Sequence, residues 1–517
     1  MATPQERLAN SLEKLQRLQD EGRAAIRARN LTRVHRERLS ENGFLQEVMK
    51  GWYIPVRPDD RPGDTTPWYS SFWDFCADYC NDRFGDEWCL SPEQSISMHV
   101  GNRRIAPQIQ IRTPKGGNKP IALLHETSIF PMRLKLPGRD DIVRMDGLNL
   151  QKLPAAIIDA VPTFFAKNPT DARAALATIP DASHILRKLL EAGHSRIAGR
   201  LCGAFRNIGR EAIADEIRKT MQSAGYDIRE VDPFEEKIDT ILPARVVSPY
   251  TGRMRLMWEQ MRHSVVKHFP IPHAASIDIS AYMTNVEDAY ANDAYHSLSI
   301  EGYRVSPDLI EQIRQGEWSP DKDDEDRRHQ DALAAHGYYR AFQAVKQSVQ
   351  EVLRGQNAGV VARQQHSDWY RELFAPLVNA GILDSTSLAG YRNGQVFLRG
   401  SRHIPASPEA VSDMMRVFFD LLENEDNPAV RVVLGHFVLV YVHPYMDGNG
   451  RIGRFLMNVL LASGGYPWTV IPLDSRDDYM ASLEAASVDQ DIVPFTQFLA
   501  NLVQHEIAGK SVAKLPG

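Results

Sequence analysis

The stretch that most constrains this chain is residues 427–465, where an apolar helical pattern is broken once and then resumes. Residues 427–442 read as one apolar helix. Pro444 ends it, because proline has no N–H to donate and disfavours helical backbone in the residue before it. Residues 451–462 return to helical spacing and stop at Gly464-Gly465. The chain is therefore expected to fold here into a helix, a tight loop and a second helix.

The loop and the turn after it carry a concentrated set of polar groups: His443, Asp447, Gly448, Asn449, Gly450, Arg451 and Arg454. Gly448, Asn449 and Gly450 let backbone N–H groups converge, and the helix they introduce presents its positive end, so an anion is favoured there and phosphate is the natural ligand. Arg451 and Arg454 are three residues apart on the first turn and can clamp phosphate oxygens, with Asn458 on the following turn. Asp447 places a carboxylate beside this nest, and one carboxylate plus substrate phosphates is a usual way to hold Mg2+. His443 is the one side chain of the loop suited to accept a hydroxyl proton near neutral pH, which makes it the candidate general base. Taken singly, each residue also fits a turn, a cap or a solvated charge.

Length and composition set the frame around that loop. A chain of 517 residues exceeds one ordinary core, and 43% apolar with 24% charged residues is a globular balance. A formal charge of −6 does not suggest an overall nucleic-acid or membrane binder. Cys76, Cys80, Cys89 and Cys202 are too few and scattered for a disulfide framework and read as reduced thiols without structural zinc. The N-terminus lacks an apolar signal core and the longest apolar run is too short to span a bilayer, so a cytoplasmic protein with no membrane partner is expected.

Upstream, residues 5–20 and 22–41 read as two helices, and 44–56 as a hairpin about Lys50-Gly51, an order that suggests a winged helix over 1–60. Arginines crowd residues 23–38, and Arg33, Arg36 and Arg38 are the candidates for contact with the phosphates of duplex DNA. Residues 107–114 and 121–136 read as strands and 172–225 as several helices, giving an α+β region over 61–240. A strongly helical body over 241–517 follows, with the charged stretch 321–328 as a loop or helix start.

The run His443-Pro444-Tyr445-Met446-Asp447-Gly448-Asn449-Gly450-Arg451-Ile452-Gly453-Arg454 resembles the signature of the Fic/Doc family, with Tyr445 where the family usually has phenylalanine. The resemblance covers about residues 245–500. It implies a mainly α chain with an all-α Fic fold and a small β-hairpin flap. The reaction implied is AMP transfer from ATP, with Mg2+, to a Ser, Thr or Tyr hydroxyl of a target protein or of the chain itself. Residues 391–408 look like the family's target-docking flap, with Gln395, Val396, Phe397 and Leu398 as its strand and Arg399-Gly400-Ser401 as its turn. Tyr479 matches the tyrosine that lines the nucleotide base pocket. Ser297, Glu301 and Gly302 match the family's inhibitory pattern, on a helix near 284–301, and imply that Glu301 pairs with Arg454. The stretch Gly43-Phe44-Leu45-Gln46-Glu47-Val48-Met49-Lys50-Gly51-Trp52-Tyr53-Ile54-Pro55 resembles the wing of AbiEi-type antitoxin regulators. Two alternatives stay open: a different phosphate-containing donor, and a DNA-binding or antitoxin-like regulator whose Fic module senses nucleotide. Homo-oligomer formation also stays open.

Overall fold

The computed structural model describes residues 3–58, 64–191, 193–234, 248–271, 278–318 and 326–516. The expected boundary near residue 240 and most of the charged stretch, 321–325, lie outside them; a helix begins at Asp326. The chain is mainly α-helical with small sheets, as expected. No described helix is long and apolar enough to cross a membrane.

The chain forms two compact units, Met1–Arg253 with Phe397–Ile404, and Met254–Val396 with Pro405–Gly517. Both N-terminal segments read from the sequence, 1–60 and 61–240, lie in the first unit.

In the first unit, Thr3 caps the helix Pro4–Asp20 and Thr32 caps Arg33–Glu41. Leu15, Leu31 and Leu39 close over Ile26 and Leu45. The expected hairpin forms from Leu45–Met49 and Trp52–Pro55, with Gly51 at φ +81° in its turn, and Ile26–Arg27 adds a third strand beside Trp52. An aromatic helix, Thr66–Phe84, then buries Trp68, Phe72, Phe75 and Tyr79. The main core of the unit also takes residues from a four-stranded sheet whose central pair, Gln108–Thr113 and Ser128–Arg133, is parallel. All four cysteines are free and buried.

Segment Phe397–Ile404 belongs to this unit by its contacts. Ile404 is buried in the unit's core, Phe397 packs against it, and the Ile105 N–H donates to the Arg402 carbonyl at 2.9 Å.

The second unit is built around the helix Asn449–Ser463, which is buried at every position from Arg451 to Ala462. The helices Ile279–Ile300, Asp326–Leu353, Ala358–Asn379 and Pro428–Val442 pack on it. Glu425, 7% exposed, accepts Arg262 in bidentate fashion and receives the Trp258 ring N–H and the Asn427 N–H, which fixes where the helix Pro428–Val442 begins.

Buried Asp171 organises the first unit. It accepts bonds from Ser97 Oγ at 2.8 Å, Asn102 Nδ2 at 2.7 Å and Arg253 Nε at 2.8 Å. Removing one side of a buried ion pair strands the other charge, so Asp171→Ala should lower stability by about 3–5 kcal/mol. Denaturant unfolding checks this, and a loss near zero contradicts it.

Candidate active site

The helix Pro428–Val442 starts where it does because the Asn427 side chain accepts the N–H groups of Ala429 and Val430, with Pro428 at the first position. It ends at His443, the residue before Pro444, in the left-handed conformation with φ 52°. A non-glycine residue there costs about 1–2 kcal/mol and persists only where neighbours hold it. Arg392 is that neighbour. Its Nε donates to the His443 carbonyl at 2.8 Å, its backbone N–H to the Pro444 carbonyl at 2.8 Å, and its remaining nitrogens to the carbonyls of Gly394 and Ala406. Burial lowers its pKa to about 10.

The His443 ring sets Nδ1 3.2 Å from the Val440 carbonyl, which can only accept, so Nδ1 carries the proton and Nε2 is left as the acceptor. Burial drives the ring's pKa down to about 4 against the opposing effect of that carbonyl. The imidazole is neutral at neutral pH.

Tyr445 follows, fully buried, its ring stacked on Tyr370 at 3.9 Å and 6°. The Asn449 side chain closes the loop by accepting the Tyr445 N–H at 2.9 Å and donating to its carbonyl at 2.8 Å. Gly448 caps the next helix with φ +81°, and a Cβ there would lie 2.7 Å from Phe374 Cε2. The first intrahelical bond is Ile452 N–H to Gly448 O, so the N–H groups of Asn449, Gly450 and Arg451 are the orphan donors of a helix start.

Both arginines of the loop are buried, Arg451 at 0% and Arg454 at 3% exposure. Arg451 Nη2 reaches Asp447 Oδ2 at 3.2 Å, while its Nε and Nη1 have no hydrogen-bond partner. Arg454 Nε donates to Ser297 Oγ at 2.8 Å, and its Nη2 to the Ser297 carbonyl at 3.0 Å and Glu301 Oε1 at 2.7 Å; Nη1 has no partner. Burial pushes the Glu301 carboxyl up, but Arg454 and then Arg451 pull it further down, so its pKa falls below the ordinary value and the pair is charged. A Cβ on Gly450 would sit 2.3 Å from Glu301 Oε1, so glycine makes room for that carboxylate.

Buried guanidinium nitrogens without partners fit an anion of several oxygens. The Asp447 side chain is 64% exposed beside them. Among the described residues there is no cluster of three metal-ligating side chains.

Residues 363–461 match the family model described as the Fic/DOC family. The C-terminal unit carries a Fic domain. A protein adenylyltransferase Fic from Nematostella vectensis is 40% identical over 121 residues, 23% of this chain and 28% of that protein. One from Drosophila willistoni is 29% identical over 229 residues, 44% of this chain and 42% of that protein. The chain thus spans less than half the length of these curated relatives. Among solved structures, Fic-1 (aa134 - 508) from C. elegans is 18% identical with TM-score 0.37, covering 69% of this chain and 90% of that one.

Within the Fic domain several expected residues play other parts. Asn458 is spent on structure: its amide donates to the carbonyls of Arg454 and Thr469 and accepts the Thr469 N–H, so its side chain is not free for phosphate. The Asn449 side chain is likewise committed to the loop, which leaves its backbone N–H for the nest. Tyr479 is 1% exposed, packs against Phe495 and Phe498, meets His436 Nε2 with its hydroxyl at 2.7 Å, and has the Arg454 guanidinium beside it, which opposes the rise that burial gives its pKa. The flap has no strand: Gln395 donates to the carbonyls of Val396 and Pro405, Ser401 N–H turns back to Leu398 O, and Phe397 packs on the core of the first unit, to which it belongs.

The N-terminal arginines also differ from expectation. Arg36 donates to the carbonyls of Ala28 and Leu31, and Arg38 to Arg7 O and Ser11 Oγ, so these guanidiniums brace the fold. Arg33 is exposed and pairs with Glu37. A groove of about 480 Å³ in the first unit, between Gln94, Arg104, Arg112 and Lys167, contains no residue of the Fic loop.

Arg392 and Phe374 were not legible as residues that shape the loop in the sequence, since no local pattern marks a residue whose partner lies far along the chain.

The Tyr445 hydroxyl is buried with no hydrogen bond of good geometry and only the Ser367 side chain beside it. Tyr445→Phe removes that hydroxyl and keeps the stacked ring. It should raise stability by about 1 kcal/mol, and a loss of stability on thermal unfolding contradicts this.

Proposed function

We propose that the Fic domain transfers AMP from Mg·ATP to a protein hydroxyl, on a target or on the chain itself, and that Glu301 restrains the reaction. The observation that carries this is the set of buried, unpartnered guanidinium nitrogens, Arg451 Nε and Nη1 and Arg454 Nη1, at a helix start beside a neutral histidine. The names of the relatives support the same reaction.

In this reading His443 Nε2 accepts the proton of the acceptor hydroxyl as its oxygen attacks the α-phosphorus. The bond from that phosphorus to the bridging oxygen breaks, and pyrophosphate leaves. The N–H groups of Asn449 to Arg451 and the Arg451 guanidinium stabilise the charge that develops. Asp447 would hold a Mg2+, which would neutralise phosphate charge. Arg454 takes the γ-phosphate once Glu301 gives it up, so the ion pair and the productive pose of ATP compete for one cation. Binding of duplex DNA is not part of this proposal, because Arg36 and Arg38 are engaged by their own chain.

Purified wild-type, Glu301→Gly and His443→Ala proteins incubated with Mg·ATP, then weighed by intact-mass spectrometry, test it. AMP addition should be strong in Glu301→Gly, weak in wild type and absent in His443→Ala. Addition in His443→Ala equal to that in Glu301→Gly, or none in any variant with target supplied, overturns it.

The pH dependence follows from the depressed His443 pKa. A histidine with pKa of about 4 is neutral above that value and loses its basic nitrogen only below it. Transfer by Glu301→Gly should therefore stay level as pH falls from about 8 to about 5.5, with no halving near 6.5, the ordinary histidine value. An acid limb centred at 6.5 contradicts this role.

A further inference from the structure

The end of the inhibitory helix touches both arginines of the Fic loop. The helix Ile279–Ile300 closes with Glu301 as its cap, Gly302 at φ +91°, and two bonds that double back: Gly302 N–H to Ser299 O at 2.9 Å and Tyr303 N–H to Leu298 O at 3.1 Å. This is a Schellman closure, in which glycine supplies the backbone conformation that other residues resist. It fixes Tyr303 relative to Glu301, so the two side chains are set by one short piece of backbone.

Glu301 meets Arg454 at 2.7 Å. The guanidinium carbon of Arg451 lies 5.1 Å from the centre of the Tyr303 ring and 5.0 Å from that of Phe374. Phe374 is also the ring against which Gly448 packs. A ring attracts a cation through its face and takes no N–H donor in doing so. That matches Arg451, which is wholly buried, donates one nitrogen to Asp447, leaves Nε and Nη1 without a hydrogen bond of good geometry, and has the Tyr303 hydroxyl beside it as well as the ring. An unsupported arginine with free donors would have many rotamers to choose from, and the two rings remove that freedom before any ligand arrives.

We infer that Tyr303 and Phe374 are positioning residues that aim Arg451 at the phosphates of the donor nucleotide, so that one helix cap restrains Arg454 through Glu301 and orients Arg451 through Tyr303. The inference rests on the nucleotide-transfer reading of the loop. It has a consequence for relief of inhibition: displacing the whole cap frees Arg454 but lets Arg451 go slack, whereas withdrawing the Glu301 carboxylate alone frees one arginine and leaves the other aimed.

The test uses the full chain carrying Glu301→Gly as parent, with Tyr303→Ala or Tyr303→Phe added. Affinity for a Mg-bound, non-hydrolysable ATP analogue is measured by calorimetry, and KM and kcat for AMP transfer are measured beside it. Tyr303→Ala should weaken binding and raise KM by roughly tenfold, the size of a desolvated cation–ring contact, with kcat much less affected. Tyr303→Phe keeps the ring and should restore the parent's affinity. Tyr303 is only half-buried, so a melting temperature equal to the parent's is expected and separates this effect from unfolding.

Unchanged affinity in Tyr303→Ala, or equal weakness in Tyr303→Phe, overturns the inference while leaving nucleotide transfer intact. Increased transfer in Tyr303→Ala on the wild-type background also overturns it, by making Tyr303 a second restraint. A parent that binds no nucleotide overturns the transfer reading and this inference with it.

Discussion

The ion pair between Glu301 and Arg454 is the interaction on which the site depends. Arg454 is buried in the second turn of the helix Asn449–Ser463, and a buried cation must be partnered. Ser297 and Glu301, one turn apart on another helix, supply the partners. The geometry around the pair accommodates it: Gly450 leaves space for the carboxylate, and the Schellman closure at Gly302 holds it in place. A phosphate could replace that carboxylate without leaving the arginine stranded. In the proposed reaction the carboxylate that partners Arg454 in the resting protein would compete with the nucleotide for that arginine.

Around that pair the loop is rigid before any ligand is present. Asn449 ties Tyr445 in both directions, Tyr445 stacks on Tyr370, and Arg392 holds the carbonyls of His443 and Pro444. The strained backbone of His443 is the result of this bracing, and its ring is held in one tautomer by Val440. In the proposed transfer, groups held this firmly would need little reorganisation as charge develops, which lowers a barrier.

The loop itself was legible in the sequence because it is local: a proline stop, two glycines and arginines three apart dictate a helix start with an anion nest whatever surrounds them. Ser297 and Glu301 were legible for the same reason, being spaced one turn apart before a glycine. Residues whose role depends on distant partners were misread or missed. Asn458 sits on the right face but is claimed by the backbone of Thr469. Tyr479 is buried against His436, with Arg454 beside it. Arg36 and Arg38 fit a DNA-binding pattern in spacing, yet their donors go to carbonyls that only the fold brings near. Arg392 and Phe374 carry no signal in their own neighbourhoods. The hairpin at residues 45–55 was visible in its alternation and turn, whereas the expected flap strand failed because residues 397–404 find partners in the first unit and not in a ladder of their own.

The most direct test of the account is a crystal structure of Glu301→Gly with a non-hydrolysable ATP analogue and Mg2+. The account predicts the terminal phosphate on Arg454, the α-phosphorus facing His443 Nε2, and the metal on Asp447. Arg454 still turned to Ser297, with the nucleotide bound elsewhere or with its phosphates reversed, would contradict it.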